Sequence, residues 1–578
     1  MFKKLLIANR GEIAIRIARA CRDLGICAVG MYSDADRDAP FLDWTDEAYS
    51  LGGRAPAESY LDISKLMDVA HRSGADALHP GYGFLAESPA LAEACEGAGI
   101  TFVGPSARAI ELMGDKAVSR SLAREAGVPL VPGSEPVSST DEVRRFASQH
   151  GYPLAIKAVA GGGGRGLRVV RGEEEVEAAL SAARREGQLY FGNPQVYLER
   201  YLEDPKHVEV QLVGLRSGEV LALGERDCSV QRRHQKLIEE APGPMVDAQL
   251  RRRMEAAAVS LAERVGYEGA GTVEFLLTPA EEFYFLEMNT RIQVEHPVTE
   301  AVRGCDLVAM QLLVAAGEPA GEPSEIRGHA IECRINAENV RRGFSPSPGM
   351  LTTLREPSGP GVRLDSGVRE GYTIPAEYDS LLAKLVVWGE DREQARRRML
   401  RALGEYLVEG VPTTIPAHEW ILQHPDFVSG QVGTAFLERE LAALSESFAS
   451  EGPVAPDAGA PEQPREAVVE VNGRRFQVAV YGLGQSAPSA QRPSKPKLTS
   501  VGPGGRGSGN TLSSPLQGNV IRVTVEEGQA VRSGDLICVI EAMKMENEIS
   551  AHRDGTVRKL FISAGQPVAA GAPLIEIS

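Results

Sequence analysis

The sequence predicts an α/β multidomain chain that ends in a small β-sandwich. Three observations predict it. The 578 residues suit about four domains of roughly 150 residues each. Residues 1–110 alternate short apolar runs with amphipathic helical patterns. Residues 514–578 contain an internal repeat without gaps. A chain with 43% apolar and 24% charged residues has an average globular composition, which excludes a disordered chain, a collagen and a coiled coil.

The elements follow in order. KKLLIA, EIAIRIARACRDLG and ICAVGMYS read as strand, helix and strand. That rhythm implies a parallel sheet flanked by helices. The first turn carries Asn9-Arg10-Gly11-Glu12 where a dinucleotide site would need G-x-G-x-x-G, so no such site is expected. From about 115 to 445, strands and helices run on without long interruption. Composition then shifts near 447. Residues 451–465 are rich in Pro, Ala and Gly, and 485–513 in Ser, Pro, Gly and Lys; both read as flexible linkers. Between them, AVVEVNGRRFQVAV (467–480) alternates apolar and polar around Asn472-Gly473, a hairpin signal.

In the last segment, 518–540 aligns on 555–577 with seven of 23 positions identical. Two similar four-strand halves predict a quasi-symmetric β-sandwich joined by a hairpin at one end. Lys544 sits in that joint, flanked by Met543 and Met545. Two exposed methionines around one lysine on a turn cost solubility and need a purpose.

Charge and cysteines narrow the function. Sixty-two basic against 79 acidic residues leave a net charge of −17, which disfavours a nucleic-acid partner but allows a local basic pocket for a small anion. The seven cysteines include no C-x-x-C pair, so no disulfide framework or zinc site is expected and a reducing compartment is. No window approaches 18 uninterrupted apolar residues, and the apolar run Leu5 to Ala8 is too short for a signal peptide. A cytoplasmic protein with no membrane partner is the expectation.

Three stretches point to chemistry on an anion. Lys157 ends a strand, followed by Gly161 to Gly164, Arg165 and Gly166 and then the strand LRVV. No Gly-Lys-Ser/Thr leads into a helix, so a P-loop is excluded. A glycine-rich turn between two strands suits a lid folding over phosphates. In FYFLEMNTRIQVEHPVTE, every second residue from Glu287 is polar: Glu287, Asn289, Arg291, Gln293 and Glu295. On an extended chain all five share one face, with oxygen donors suited to Mg²⁺. Glu274, on a neighbouring strand, is a candidate second ligand. Finally, 226–236 (RDCSVQRRHQK) reads either as an exposed loop or as a pocket for bicarbonate and phosphate.

These stretches resemble a known family. IANRGEIA, HPGYGFLAES, KAVAGGGGRG, RDCSVQRRHQKLIEEAP, EMNTRIQVEHPVTE and ECRINAE match the motifs of the biotin carboxylases, a group of ATP-grasp enzymes, over residues 1–446. EAMKMEN is similar to the biotinylation site of biotin carboxyl carrier domains; lipoyl domains share that fold but usually place an acidic residue where Met543 stands. The chain as a whole resembles the α subunits of bacterial acetyl- or propionyl-CoA carboxylases. The resemblance implies a biotin carboxylase N-terminal domain at 1–114. It places the ATP-grasp and C-terminal domains at 115–446, with a lid at about 132–203. A linker at 447–513 and a biotinyl domain at 514–578 follow.

The resemblance also implies roles. In the family, ATP phosphorylates bicarbonate to carboxyphosphate, which yields CO₂ for the ureido nitrogen of biotin, and carboxybiotin is carried onward. Lys116, Lys157, Gly162, Gly163, Gly164, Glu199, His207, Gln231 and His234 are then ATP contacts. Glu274, Glu287 and Asn289 hold Mg²⁺ or Mn²⁺, the first two counting among the nucleotide-binding residues. Lys236, Arg291, Gln293 and the Val294 backbone hold bicarbonate. Glu295 is the base, with Arg291 as the partner that keeps it ionised. Arg334 stabilises the enolate of biotin, with Tyr82 packing nearby, and Lys544 carries biotin covalently.

Two alternatives remain. One is a carrier and assembly subunit of another biotin-dependent carboxylase, with an inactive ATP body. The other is a different ATP-grasp ligase fused to a lipoyl domain. Lys236, Glu274, Glu287, Arg291 and Glu295 stand against the first, and the Met-Lys-Met site against the second. The 67 residues of 447–513 cannot hold a carboxyltransferase domain, so that activity falls to a β subunit. Biotin protein ligase and an oligomeric complex complete the expected partners, and 467–480 is expected to be a reduced docking hairpin. Which acyl-CoA is used is not legible.

Overall fold

Leu5, Leu6 and Ile7 are fully buried, and the strand they form, Lys4–Ile7, lies at the centre of a five-stranded parallel sheet. In the computed structural model, the described residues are all but 160–166, 192, 448–464, 472–473, 481–509, 516–517, 543–544 and 569–570. For 189–191, 465–471, 474–480, 519, 542, 545–546 and 567 the backbone alone is described. The chain divides into two units, Met1–Ser445 and Glu446–Ser578.

The first sheet runs in the order Glu47–Ser50, Cys27–Tyr32, Lys4–Ile7, Ala77–His79, Thr101–Phe102. The chain moves outward to one side from the central strand and then restarts on the other. That reversal opens a crevice beyond the C-terminal ends of Lys4–Ile7 and Ala77–His79, where open α/β sheets bind ligands. Asn9 ties the two loops there, its Nδ2 donating to the carbonyls of Pro80 at 2.7 Å and Tyr82 at 2.8 Å. Gly81 is required: its φ is +64°, and a Cβ would meet Asn9 Nδ2 at 2.8 Å. Arg10 grips Asp36 through Nε at 2.6 Å and Nη2 at 2.7 Å, so the first turn is braced by its own sheet.

Residues Leu154–Ala158, Leu167–Val170 and Val196–Arg200 form a three-stranded antiparallel sheet. Helices Thr140–His150 and Val176–Phe191 pack on it around Val143, Phe146, Ile156, Val176 and Leu198. The two strands that flank the glycine run are paired; Gly162, Gly163 and Gly164 lie outside the described residues.

An eight-stranded antiparallel sheet carries the rest of the first unit. Its order is Phe283–Asn289, Gly269–Leu277, Lys206–Gly214, Val220–Arg232, Gln235–Ala241, His329–Asn336, Leu381–Gly389, Val362–Ser366. The strand KHVEVQLVG shows why one face becomes a site. Val208, Val210 and Leu212 join the core with Met254, Ala258 and Leu261 of helix Ala248–Arg264. His207, Glu209 and Gln211 alternate with them and are equally buried, on the other face.

Glu240 locks this sheet to the helix Arg392–Glu405. It faces His329 Nε2 at 2.8 Å and accepts from Arg392 Nε at 2.6 Å. Burial opposes ionisation of Glu240, but these two partners hold its carboxyl down at about 2. Below that value the folded and unfolded carboxyls are both protonated, so the stabilisation is present above about 4.5 and disappears as pH falls toward 2. The shift corresponds to about 3 kcal/mol. Glu240→Gln is expected to lower the urea midpoint of this unit at pH 7, with the gap to wild type closing near pH 2–3. An equal gap at both pH values contradicts the pairing.

The C-terminal unit is a sandwich of two four-stranded sheets. One has the order Thr511–Ser513, Pro573–Ile577, Gly555–Leu560, Ala530–Val531; the other Met545–Ser550, Leu536–Ala542, Gly518–Val523, Pro567–Val568. The repeat operation, a shift of 37 positions, converts each sheet into the other. The shared glycines have matching reasons. A Cβ on Gly518 would meet the Glu541 carbonyl at 2.2 Å, and one on Gly555 the Ser578 carbonyl at 2.5 Å. Gly528 and Gly565, and Gly534 and Gly571, all have positive φ. In the same unit, Arg465–Val471 and Arg474–Val480 pair as an antiparallel hairpin; its turn and its side chains lie outside the described residues.

All seven cysteines are free thiols. No helix among the described residues is long and apolar enough to cross a membrane.

Candidate functional site

On the polar face of the eight-stranded sheet, the Lys236 ammonium is held by three carboxylates: Glu209 at 2.6 Å, Glu295 at 2.7 Å and Glu274 at 2.9 Å. Arg334 continues the chain of charges, donating from Nε to Glu239 at 2.6 Å and from Nη2 to Glu295 at 2.9 Å. Arg226, fully buried, donates to Glu209 at 2.5 Å, Gln211 at 2.8 Å and Thr299 at 2.9 Å. Three cations thus interleave with four carboxyls on five adjoining strands and one helix start.

Register places them. Glu274 lies opposite both Glu287 and Glu209 on its two neighbour strands, and Glu209 lies opposite Arg226 within one row. Glu239 lies opposite Glu332, and Arg334 opposite Lys384. Glu295 comes from a different direction, as the residue before helix His296–Arg303. Pro297 suits the first turn of that helix, and the Glu295 side chain, free of any capping bond, reaches the cations instead.

The charges shift one another. Burial opposes ionisation of Glu295, but Lys236, Arg334 and Arg226 hold its carboxyl well below the usual carboxylate range. Glu274 is likewise held well below by Lys236 and His207, whose Nε2 lies 2.9 Å from Glu274 Oε2. Burial pushes Glu239 up to about 7 against the pull of Arg334, and pushes its neighbour Glu332 far above the carboxylate range. Among the described residues neither oxygen of Glu332 has a hydrogen-bond partner, which fits a carboxyl that stays neutral.

Gln293 links the metal candidates. Its Nε2 donates to Glu274 Oε1 at 2.9 Å and to the Asn289 amide oxygen. Asn289 in turn donates to Glu287 only over 3.4 Å. Glu274, Asn289 and Glu287 are thus linked in one hydrogen-bonded chain and offer hard oxygen donors, whose chemistry fits Mg²⁺ or Mn²⁺.

Three sequence-derived expectations are corrected. The strand Phe283–Asn289 ends at Asn289, so the five alternating polar residues do not share one extended face. The chain bends at Thr290, whose N–H donates to Glu87 at 3.0 Å, and this brings Gln293 and Glu295 in from above the sheet. Nor is Arg291 the partner of Glu295. Its Nε donates to Glu87 at 3.0 Å and its Nη1 to Gln293 at 2.9 Å, while Lys236 and Arg334 hold Glu295. The exposed-loop reading of 226–236 fails for most of it: residues 226–232 are buried on a strand, and exposure is confined to the turn Arg233-His234 and to Gln235. Strands Val220–Arg232 and Gln235–Ala241 pair through it around a two-residue turn, Arg233-His234, and Gln231 is buried beside Lys236 across the ladder.

Lys157, Lys116 and Tyr82 stand outside the elements that carry the Lys236 cluster. Lys157, on the central strand of the small sheet, donates to Glu199 on an outer strand, and Arg120 Nη2 lies 3.4 Å from the same carboxylate. Lys116 is exposed in the first turn of helix Lys116–Glu125. The Tyr82 hydroxyl donates to Glu12 in the crevice of the parallel sheet. Lys544 lies outside the described residues; Ala542 and Met545 pair on either side of it.

Sequence reasoning missed Glu209, Arg226, Glu239, Glu332 and Lys384. Lys384 is fully buried, donates to the Val294 carbonyl at 3.0 Å, and lies 3.2 Å from Glu12. It thus connects the loop that carries Glu295 with the Tyr82 crevice. The signal was a single lysine inside the apolar run LLAKLVV, a residue that is buried only when paired.

Comparison with known proteins matches this arrangement. Residues 1–110 fit the family described as "Biotin carboxylase, N-terminal domain", 115–322 "Carbamoyl-phosphate synthase L chain, ATP binding domain", 332–439 "Biotin carboxylase C-terminal domain", and 510–577 "Biotin-requiring enzyme". The chain is 44% identical over 590 residues to the biotin-dependent acyl-coenzyme A carboxylase alpha3 subunit of Mycobacterium leprae, covering 99% of this chain and 98% of that one. It is 52% identical over 443 residues to biotin carboxylase 1 of Bacillus subtilis, covering 76% and 98%. Among solved structures, the biotin carboxylase domain of the Hydrogenobacter thermophilus 2-oxoglutarate carboxylase, in complex with MgADP, ADP and bicarbonate, superimposes with a TM-score of 0.69. The two are 46% identical, with 77% of this chain and 99% of that chain covered.

Proposed function

The chain belongs to the biotin carboxylase family and carries a biotin-requiring segment on the same polypeptide, and from that premise we propose that it is the α subunit of an acyl-CoA carboxylase. It is an ATP-dependent biotin carboxylase, with covalent biotin, ATP and Mg²⁺ as its cofactors. The clamp on Glu295 by Lys236 and Arg334 is the observation that carries the mechanism.

In this reading bicarbonate takes the Lys236 and Arg334 cations, with Arg291, Gln293 and the Val294 backbone completing its seat. Its negative charge competes with Glu295 for those cations. As the clamp loosens, the Glu295 carboxylate regains basicity where a base is needed. Glu295 accepts the bicarbonate proton, and the freed oxygen attacks the γ-phosphorus. The bond to the bridging oxygen of ADP breaks, leaving carboxyphosphate. Glu274, Glu287 and Asn289 would hold the divalent metal, which would supply charge neutralisation on the phosphates. His207, Gln231, His234, Lys116, Lys157 and Glu199 hold the nucleotide, under the lid glycines. Lys544 would hold biotin, whose ureido N–H nitrogen would take the carboxyl carbon as phosphate leaves with the N–H proton; Arg334 would steady the oxygen that becomes negative, and Tyr82 would pack against biotin.

Arg334→Ala is expected to reduce biotin carboxylation more than bicarbonate-dependent ADP release, because the second role of Arg334 follows carboxyphosphate formation. Equal losses contradict that role.

The acyl acceptor rests on the full-length similarity to an acyl-CoA carboxylase subunit, which spans body, linker and carrier alike. A carboxyltransferase β subunit is then the main partner, biotin protein ligase the modifying one, and an oligomer the working form. Reconstitution with the β chain and assay of acetyl-, propionyl- and longer acyl-CoA tests this. Carboxylation of none of them, with activity on a keto acid, overturns it.

A further inference from the structure

The turn between Val220–Arg232 and Gln235–Ala241 is made of two non-glycine residues in the left-handed region, Arg233 with φ 48° and His234 with φ 67°. Two-residue hairpin turns of this hand favour Asn-Gly, because other side chains are strained there. Both side chains are exposed, so packing does not hold them. One remote group does: the Arg233 N–H donates to Glu438 Oε1 at 2.7 Å, across 205 positions of sequence. Glu438 lies in the first turn of Phe436–Ser447, the last helix of the first unit.

The same helix start pins a second left-handed residue. Asp204, with φ 43°, lies between the small sheet and the strand Lys206–Gly214. It accepts from Ala435 N at 2.7 Å and from Arg439 Nη1 at 2.9 Å. A Cβ on Gly433 would meet Asp204 Oδ1 at 2.3 Å, so the approach allows only glycine. Two strained points thus depend on one short segment, Gly433 to Arg439.

We propose that Glu438 is a positioning residue for the nucleotide: by accepting the Arg233 N–H it holds the Arg233-His234 turn in the conformation that presents His234 to ATP. This rests on the reading of His234 as a nucleotide contact. Glu438 itself is exposed and is assigned no contact with a reacting atom, so its replacement is expected to leave the fold intact. Loss of a hydrogen bond to a charged acceptor is expected to raise KM for ATP about tenfold. The kcat at saturating ATP and KM for bicarbonate stay within about twofold, as loss of binding alone requires.

The test uses the full chain in four forms: Glu438→Ala, Glu438→Gln, His234→Ala and the double variant Glu438→Ala/His234→Ala. Biotin carboxylation is followed against ATP, and amide hydrogen exchange is measured over 230–236. Glu438→Ala is expected to speed exchange in the turn and raise KM for ATP. Glu438→Gln, which keeps an acceptor oxygen, restores both. In the His234→Ala background, Glu438→Ala adds nothing further to KM, because the two act as one unit. Unchanged exchange in Glu438→Ala overturns the positioning role. Additive effects of the two changes on KM also overturn it, since Glu438 then acts by another route. If His234→Ala leaves KM at the wild-type value, the nucleotide role of His234 falls. An effect of Glu438→Ala alone then contradicts the proposal as well.

Discussion

Glu295→Gln is expected to lower biotin carboxylation by about 10²–10⁴-fold, the range for loss of a general base. The fold should survive it. Lys236 keeps Glu209 and Glu274, Arg334 keeps Glu239, and glutamine retains an acceptor oxygen toward both. Binding of Mg·ATP, measured by calorimetry, should stay within a few-fold, because no nucleotide contact is assigned to this side chain. The informative comparison is bicarbonate-dependent ADP release, which should fall in parallel with carboxylation since the proton is removed before the γ-phosphorus is attacked. ADP release at the wild-type rate contradicts the role of base.

Lys544→Ala is expected to remove all avidin-detectable biotin from the chain, and with it all acyl-CoA carboxylation in the reconstituted complex. Carboxylation of added free biotin should persist, because every residue of the Lys236 site belongs to the first unit. The two readouts separate carrier from catalyst. Residual biotin on the intact variant chain contradicts the assignment of Lys544, and loss of free-biotin carboxylation contradicts the independence of the site.

The parts of the fold that follow one period were legible. The β-α-β rhythm of residues 1–110 and the 37-residue repeat both report local patterns; the first maps onto the parallel sheet and the second onto the two sheets of the sandwich. The hairpin at 467–480 was legible from Asn472-Gly473 in the same way. Bends were not. Alternation from Glu287 to Glu295 is compatible with one strand, and only Glu87, some 200 positions earlier, turns the chain at Thr290. The pairing of Glu295 with Lys236 and Arg334 was illegible for the same reason. Spacing along one segment suggests Arg291, whereas the cations come from two other strands. Motif resemblance named the polar residues proposed to meet substrates. It left out Glu209, Arg226 and Lys384, whose task is to balance those charges inside the sheet. That task appears only when burial and distance are known.

The central claim is that one chain both activates bicarbonate at the Lys236–Glu295–Arg334 cluster and receives it on its own biotin. The most direct test incubates the full-length biotinylated chain with Mg·ATP and ¹⁴C-bicarbonate, followed by rapid gel filtration and avidin capture. The account predicts acid-labile label on the chain that requires ATP, is absent in Lys544→Ala, and is reduced by at least about 10²-fold in rate in Glu295→Gln. A biotinylated wild-type chain that cleaves ATP but acquires no label would contradict it.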